Sequence, residues 1–206
     1  MISIVRETNE TKKIKRLNDE LAADDKALFG FWVYIMTDCV LFATLFAVYV
    51  ILRNNTFGGP SGTNIFNLNY VLGETLLLLT SSYTCGLGML AAHRRSKNAT
   101  LRWFMITFLL GIAFLVMELT EFRHLAREGN SWRRSGFLSG YFTLVGTHGL
   151  HITIGLLWML VVMYRISKGG LKRITLRQLS MLSLFWHFLD IIWIFIFTIV
   201  YSMGKI

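Results

Sequence analysis

The stretch SLFWHFLDIIWIFIFTIVY, residues 183–201, decides the fold. Apart from the phenol of Tyr201, its nineteen residues hold only two ionisable groups, His187 and Asp190. About 20 apolar residues in helical conformation cross the hydrocarbon core of a bilayer. Extended to its polar flanks, the stretch defines a span at 178–203, and four more segments of the same kind precede it at 28–52, 68–92, 101–125 and 137–164. The only proline, Pro60, lies in the polar connection NNTFGGPSGTN, so none interrupts a span. These segments predict an all-α polytopic membrane bundle of five transmembrane helices, residues 28–206, preceded by a polar tail at 1–27.

Composition supports the membrane over a soluble fold. The chain has 206 residues, 54% of them hydrophobic, and a mean hydropathy of +0.52. A formal charge of +9 would suggest nucleic acid if the basic residues shared one face of a soluble domain, but they are distributed by loop. Six of the 21 Lys and Arg precede the first span, four lie in 93–102 and five in 165–177, against six in the alternate segments. By the positive-inside rule this predicts a cytoplasmic N-terminus and a periplasmic C-terminus. Four arginines in FRHLAREGNSWRRSG, residues 122–136, run against that bias. The first 27 residues carry no apolar core of a cleavable signal. Ile14, Leu17 and Leu21 are spaced for a short surface helix, but the polar composition favours a loosely ordered tail. Cys39 and Cys85 both fall in spans without ligand spacing, as buried free thiols do.

Five of the twelve acidic residues, Asp38, Glu74, Glu118, Glu121 and Asp190, fall in spans, together with His148, His151 and His187. An ionisable group at the centre of a membrane helix costs about 2.5–3.5 kcal/mol on insertion scales, so each must face protein or water. At about 1.5 Å per residue, Asp38, His148, His151, His187 and Asp190 reach the middle of their spans, and Glu74, Glu118 and Glu121 lie nearer the outer surface. Residues three apart share a helix face, which pairs His148 with His151, His187 with Asp190 and Glu118 with Glu121 along one internal seam.

Three kinds of chemistry compete for that seam. A self-sufficient haem-binding oxidoreductase would take its axial ligands from His148 or His151 and from His187. A carboxylate-bridged metal pair would use Glu121-Phe122-Arg123-His124, but that pattern needs a second Glu-x-x-His, and the chain has none. The third reading, hydrogen-bonded polar pairs that hold helices together and serve proton movement or lipid headgroups, asks least of the sequence. Trp186 and Trp193 flank His187 and Asp190 on the same helix and suit helix packing or a lipid cleft. No inverted repeat or broken helix supports a proton-linked carrier built on Asp38 and Asp190.

Five motifs taken together carry a resemblance: YIMTDCVLFATLFAVY (34–49), VLGETLLLLTSS (71–82), MELTEF (117–122), GTHGLHITIG (146–155) and the opening stretch. In order and spacing they resemble subunit III of the haem-copper respiratory oxidases, from about residue 28 to the C-terminus. Five spans, the GGPSG loop at 58–62 and SGFLSGYFTLVGTHGLH at 135–151 look closest to the bacterial cytochrome o ubiquinol oxidase branch, with a cytochrome c oxidase subunit III as the alternative. The resemblance implies a non-catalytic subunit of a proton-pumping terminal oxidase in a bacterial inner membrane. It implies no catalytic residue, metal or cofactor in this chain. Haem and copper would sit in the partner catalytic subunit I, with subunits II and IV as further partners, bound phospholipid, and no nucleic acid. By the same resemblance Asp38, Glu74, Glu121, His187 and Asp190 are buried polar or proton-related positions, and His148, His151, Trp186 and Trp193 line the lipid cleft or the helix packing.

Overall fold

The computed structural model describes residues 2–56, 68–129 and 134–202. The GGPSG loop and residues 130–133 of the arginine-bearing connection lie outside them. Among the described residues every regular element is helical: α1 (Ile2–Leu52), α2 (Leu68–His93), α3 (Lys97–Arg127), α4 (Gly136–Gly169) and α5 (Arg173–Ile196), the last continued by a π-helical turn, Phe197–Ser202. All five contain an apolar stretch long enough to cross a bilayer, at Leu21–Leu52, Asn69–His93, Lys97–Arg127, Gly136–Gly169 and Arg173–Ser202. The chain is a multi-pass membrane protein.

Where the sequence favoured a loosely ordered tail, α1 is helical from Ile2. The physical reason is local: residues 2–29 contain no glycine or proline and are rich in Lys, Glu, Leu and Ala, so nothing stops the helix from propagating. The chain divides into two compact units, Met1–Asp38 and Cys39–Ile206. The first is the leading part of α1, ending on Ile35 and Asp38, both buried.

The second unit is an antiparallel bundle. Here α2 packs along α3 and α5, and α4 packs against α3 and α5. The last turns of α1 lie against the start of α4, where Tyr49 and Leu52 abut Gly140 and Gly136. At the opposite end the basic connections meet: Arg95, held at a φ of 58°, donates to the Leu171 carbonyl at 2.8 Å, and Lys97 donates to that of Ser167 at 2.8 Å. The interior is aromatic, with Phe104, Phe114, Tyr141, Phe185, Trp186, Trp193 and Tyr201 all fully enclosed. Helices reach this density through glycine: a Cβ on Gly111 of α3 would stand 2.9 Å from both Leu156 of α4 and Trp186 of α5. Large apolar side chains such as Leu76, Leu109, Leu157 and Ile191 point outward, as lipid-facing surfaces require.

Helix α2 is the polar spine of the bundle. Its inner face carries Thr75, Ser81, Ser82, Thr84 and Cys85, and each bonds to a neighbouring helix. Apolar burial gives little drive to associate helices inside lipid, so packing and interhelical hydrogen bonds hold them instead.

Candidate functional site: two buried polar clusters

The polar residues form two clusters rather than one continuous seam. The first gathers at the end of the bundle where α2 and α4 begin and α3 and α5 finish. Glu74 of α2 is fully buried, and neither of its carboxyl oxygens has a hydrogen-bond partner among the described residues. Glu118 and Glu121, one turn apart on α3, lie within electrostatic reach of it. Glu118 is 2% exposed and its carboxyl presses against Gly149 of α4, where a Cβ would come within 2.6 Å of Oε1. Glu121 accepts a hydrogen bond from the Tyr201 hydroxyl at 3.2 Å, and that hydroxyl is 2.9 Å from the Tyr141 hydroxyl. Tyr201 is presented by the π-helical turn that ends the last span, a local widening often found where a helix places a functional side chain.

His148 lies next to this cluster in an aromatic box. Its ring stacks on Trp193 with centroids 5.3 Å apart and an interplanar angle of 28°, and meets Phe114 edge-on at 6.1 Å. Trp193 is in turn fixed by an edge contact with Phe114 at 4.7 Å and by an Nε1–H bond to Thr75 at 3.1 Å. Both ring nitrogens of His148 are buried with no hydrogen-bond partner among the described residues. His151, three residues on, is only half-buried, with Nδ1 2.8 Å from the Thr147 carbonyl of its own helix and its ring 5.3 Å from Phe42. The shared face is real, but the two imidazoles have different neighbours. Replacing His151 by Leu therefore removes a half-buried polar contact and should weaken helix or lipid association while leaving the visible spectrum of any purified complex intact. A lost absorption band with every subunit still present would contradict this.

The second cluster lies between α2 and α5 at mid-span. His187 Nδ1 is 2.5 Å from Ser82 Oγ, and Asp190 is hydrogen-bonded to the same serine. Sequence spacing suggested that His187 and Asp190 bond along one helix surface; the structure routes them through a hydroxyl of the neighbouring helix. Trp186, fully buried, donates through Nε1 to Ser81 at 2.9 Å. Asp38 belongs to the first compact unit, is 6% exposed, and shares a hydrogen bond with Tyr34 one turn earlier.

Sequence reasoning named Glu74, Glu121, His148, His187, Asp190 and Trp193 but missed Ser82, Thr75, Tyr141 and Tyr201, whose roles depend on neighbours far away in sequence. The run TSSYTC at 80–85, unusually polar for a span, was the available signal for Ser81 and Ser82.

The donor set argues on chemistry against the two cofactor readings. His124 of the Glu-x-x-His pattern pairs with Glu128 at 3.3 Å on an exposed surface, turned to solvent rather than into the carboxyl cluster. His148 is enclosed by rings and His187 is tied to Ser82. Among the described residues no group of three or more His, Cys, Asp or Glu is arranged to hold a metal ion.

Five spanning helices knitted by buried hydroxyls, with a carboxyl cluster at one end and a His–Ser–Asp group at mid-span, define a polytopic helical membrane protein whose polar groups lie between helices. The chain matches the family Cytochrome c oxidase subunit III over residues 13–205 and belongs to that family. It is 57% identical over 179 residues to cytochrome bo(3) ubiquinol oxidase subunit 3 of Pseudomonas aeruginosa, covering 87% of this chain and 86% of the relative. The protein of the same name from Pseudomonas putida is 54% identical over 177 residues, 86% of each chain. Cytochrome c oxidase subunit 3 of Bacillus sp. PS3 is 43% identical over 189 residues, 92% of this chain and 91% of the relative.

Proposed function

We propose that this chain is the third, non-catalytic subunit of a cytochrome o-type ubiquinol oxidase, a proton-pumping terminal oxidase of a bacterial inner membrane. The observation that carries the reading is the 57% identity, over most of both chains, to a ubiquinol oxidase subunit 3. In this reading haem and copper are held by catalytic subunit I, subunits II and IV complete the complex, and phospholipid binds to this chain. The chain's own residues do structural and electrostatic work: they hold helices together at mid-membrane and keep buried carboxyls beside the catalytic subunit. The N-terminus is cytoplasmic and the C-terminus periplasmic. The excess of Lys and Arg in alternate connections supports this, as does the meeting of two basic connections at one end through Arg95 and Lys97.

A second reading, subunit III of a cytochrome c oxidase, draws on the 43% identical relative. One experiment separates the two. The chain, tagged at its N-terminus and purified from native membranes in mild detergent, should bring with it a larger many-span protein carrying haem and copper, and the complex should oxidise quinol. Oxidation of cytochrome c instead would select the second reading. Recovery of the chain alone, folded and with its own haem spectrum, would overturn both.

The buried carboxyl of α1 gives a functional prediction. Asp38→Ala should leave the haem content of the complex nearly unchanged while turnover decays faster during sustained assay, because Asp38 is buried without a ligand role and the proposed work of this subunit is to support proton uptake. Haem loss with an unchanged active lifetime would count against it.

A further inference from the structure

Helix α3 carries four titratable residues in steps of three, three and four, Glu118, Glu121, His124 and Glu128, so each is the helix-surface neighbour of the next. The row runs about 15 Å along the helix, and its exposure is graded. Glu118 is enclosed at 2%, Glu121 is half-buried, and the side chains of His124 and Glu128, paired at 3.3 Å, are 73% and 50% exposed. Packing alone asks for apolar side chains at such positions, and an ionisable group at each turn is costly in a membrane helix.

At the enclosed foot of this row stands Glu74, from the neighbouring helix α2. It is fully buried, and both of its carboxyl oxygens lack a hydrogen-bond partner among the described residues, as does Oε2 of Glu118. The charges acting on Glu74 are those of Glu121 and Glu118, both acidic. On the other helices Tyr141 of α4 and Tyr201 of the π-helical turn are hydrogen-bonded to Glu121, and His148 lies beside them. Tyr70 of α2 donates to the Met117 carbonyl at 3.0 Å, and the end of α1 brings Tyr49, on which the charge of Arg53 acts. An ionised carboxylate only accepts hydrogen bonds, whereas a protonated carboxyl also donates one. Glu74 and Glu118 lack donors, and they repel each other when both are ionised. A proton held by the pair supplies the missing donor and relieves the repulsion.

We infer that Glu74 and Glu118 form a proton-binding site inside the bundle, loaded and emptied from the membrane surface through Glu121 and His124. Loading is a protonation: hydronium at the surface gives up a proton, which passes by way of His124 and Glu121 to an enclosed carboxylate, and emptying returns it to water by the same steps. In the orientation proposed above the row opens to the periplasmic side, so the site stores protons on the side to which a proton-pumping complex delivers them. For that role the inference rests on the oxidase reading; the site itself rests on this chain's own residues.

The test is infrared spectroscopy of the tagged complex purified from native membranes, with the buffer moved between acid and alkaline pH and between light and heavy water. A protonated carboxyl gives a carbonyl stretching band that a carboxylate lacks. Glu74→Gln and Glu118→Gln, which keep the size of the side chain, should each remove part of the band that titrates in the unaltered complex. Glu121→Gln should keep that band and slow its deuterium shift by about tenfold, the effect of one lost charge-assisted hydrogen bond, and His124→Gln, on the exposed surface where folding does not depend on it, should slow it in the same sense. No titrating carboxyl band in the unaltered complex, or a band unchanged in both Glu74→Gln and Glu118→Gln, would overturn the site. Exchange as fast in Glu121→Gln and His124→Gln as in the unaltered chain would overturn the route. A tagged chain that brings down no haem protein refutes the oxidase reading, and the carboxyl band of that chain still decides the site.

Discussion

Gly149→Val should be among the most damaging single changes in the bundle, and removing a carboxyl elsewhere should repair much of it. A Cβ at this position would stand 2.6 Å from Oε1 and 2.9 Å from Oε2 of Glu118, and the carboxyl, 2% exposed, has no route to water. Overpacking in a rigid interior costs about 1–3 kcal/mol, and the upper end applies here because the displaced group is polar. Glu118→Ala empties the space that the valine needs, so the double variant should be more stable than the Gly149→Val chain. The comparison is a double-mutant cycle on the detergent unfolding midpoint of the purified complex. Strictly additive effects would mean that α3 and α4 do not meet through this pair.

Trp193→Ala removes the indole wall of the aromatic box around His148. Its indole stacks on His148, takes the edge of Phe114 and donates to Thr75, so one truncation opens a cavity and breaks three contacts joining α2, α3, α4 and α5. Burying a large aromatic side chain is worth about 3–5 kcal/mol in a water-soluble core. The lower end is expected here, because helices parted within lipid lose packing without exposing apolar surface to water. Trp193→Phe keeps most of the ring packing and loses the Thr75 bond, and should cost about 1 kcal/mol. A thermal or detergent unfolding series on the complex reads both. Equal effects from the two variants would mean that the hydrogen bond, rather than the ring, holds the site.

The two changes act on features of very different legibility. That Glu118 and Glu121 share a helix face follows from their spacing of three. Nothing in the spacing says that Glu118 will press on Gly149, because Gly146 and Gly149 read equally well as surfaces for any helix. Tyr141 and Tyr201 are separated by 60 residues, look like ordinary apolar-face tyrosines, and meet where a π-helical turn continues α5. His148 and His151 looked equivalent in the sequence, yet one is enclosed by rings and the other is bound to its own backbone.

The sequence by itself determined that the chain has five helices long and apolar enough to span a membrane and which residues are costly to turn toward lipid. Those properties depend on local apolar length and on the cost of a charge in hydrocarbon, and both are written residue by residue. Only the tertiary structure decided that the inward-facing groups form two clusters and that Ser82 joins His187 to Asp190. Helix rotation and the choice of neighbour depend on how glycines, aromatic rings and hydroxyls from distant segments fit together. In lipid, where apolar surface hardly distinguishes one helix face from another, that fit settles the arrangement.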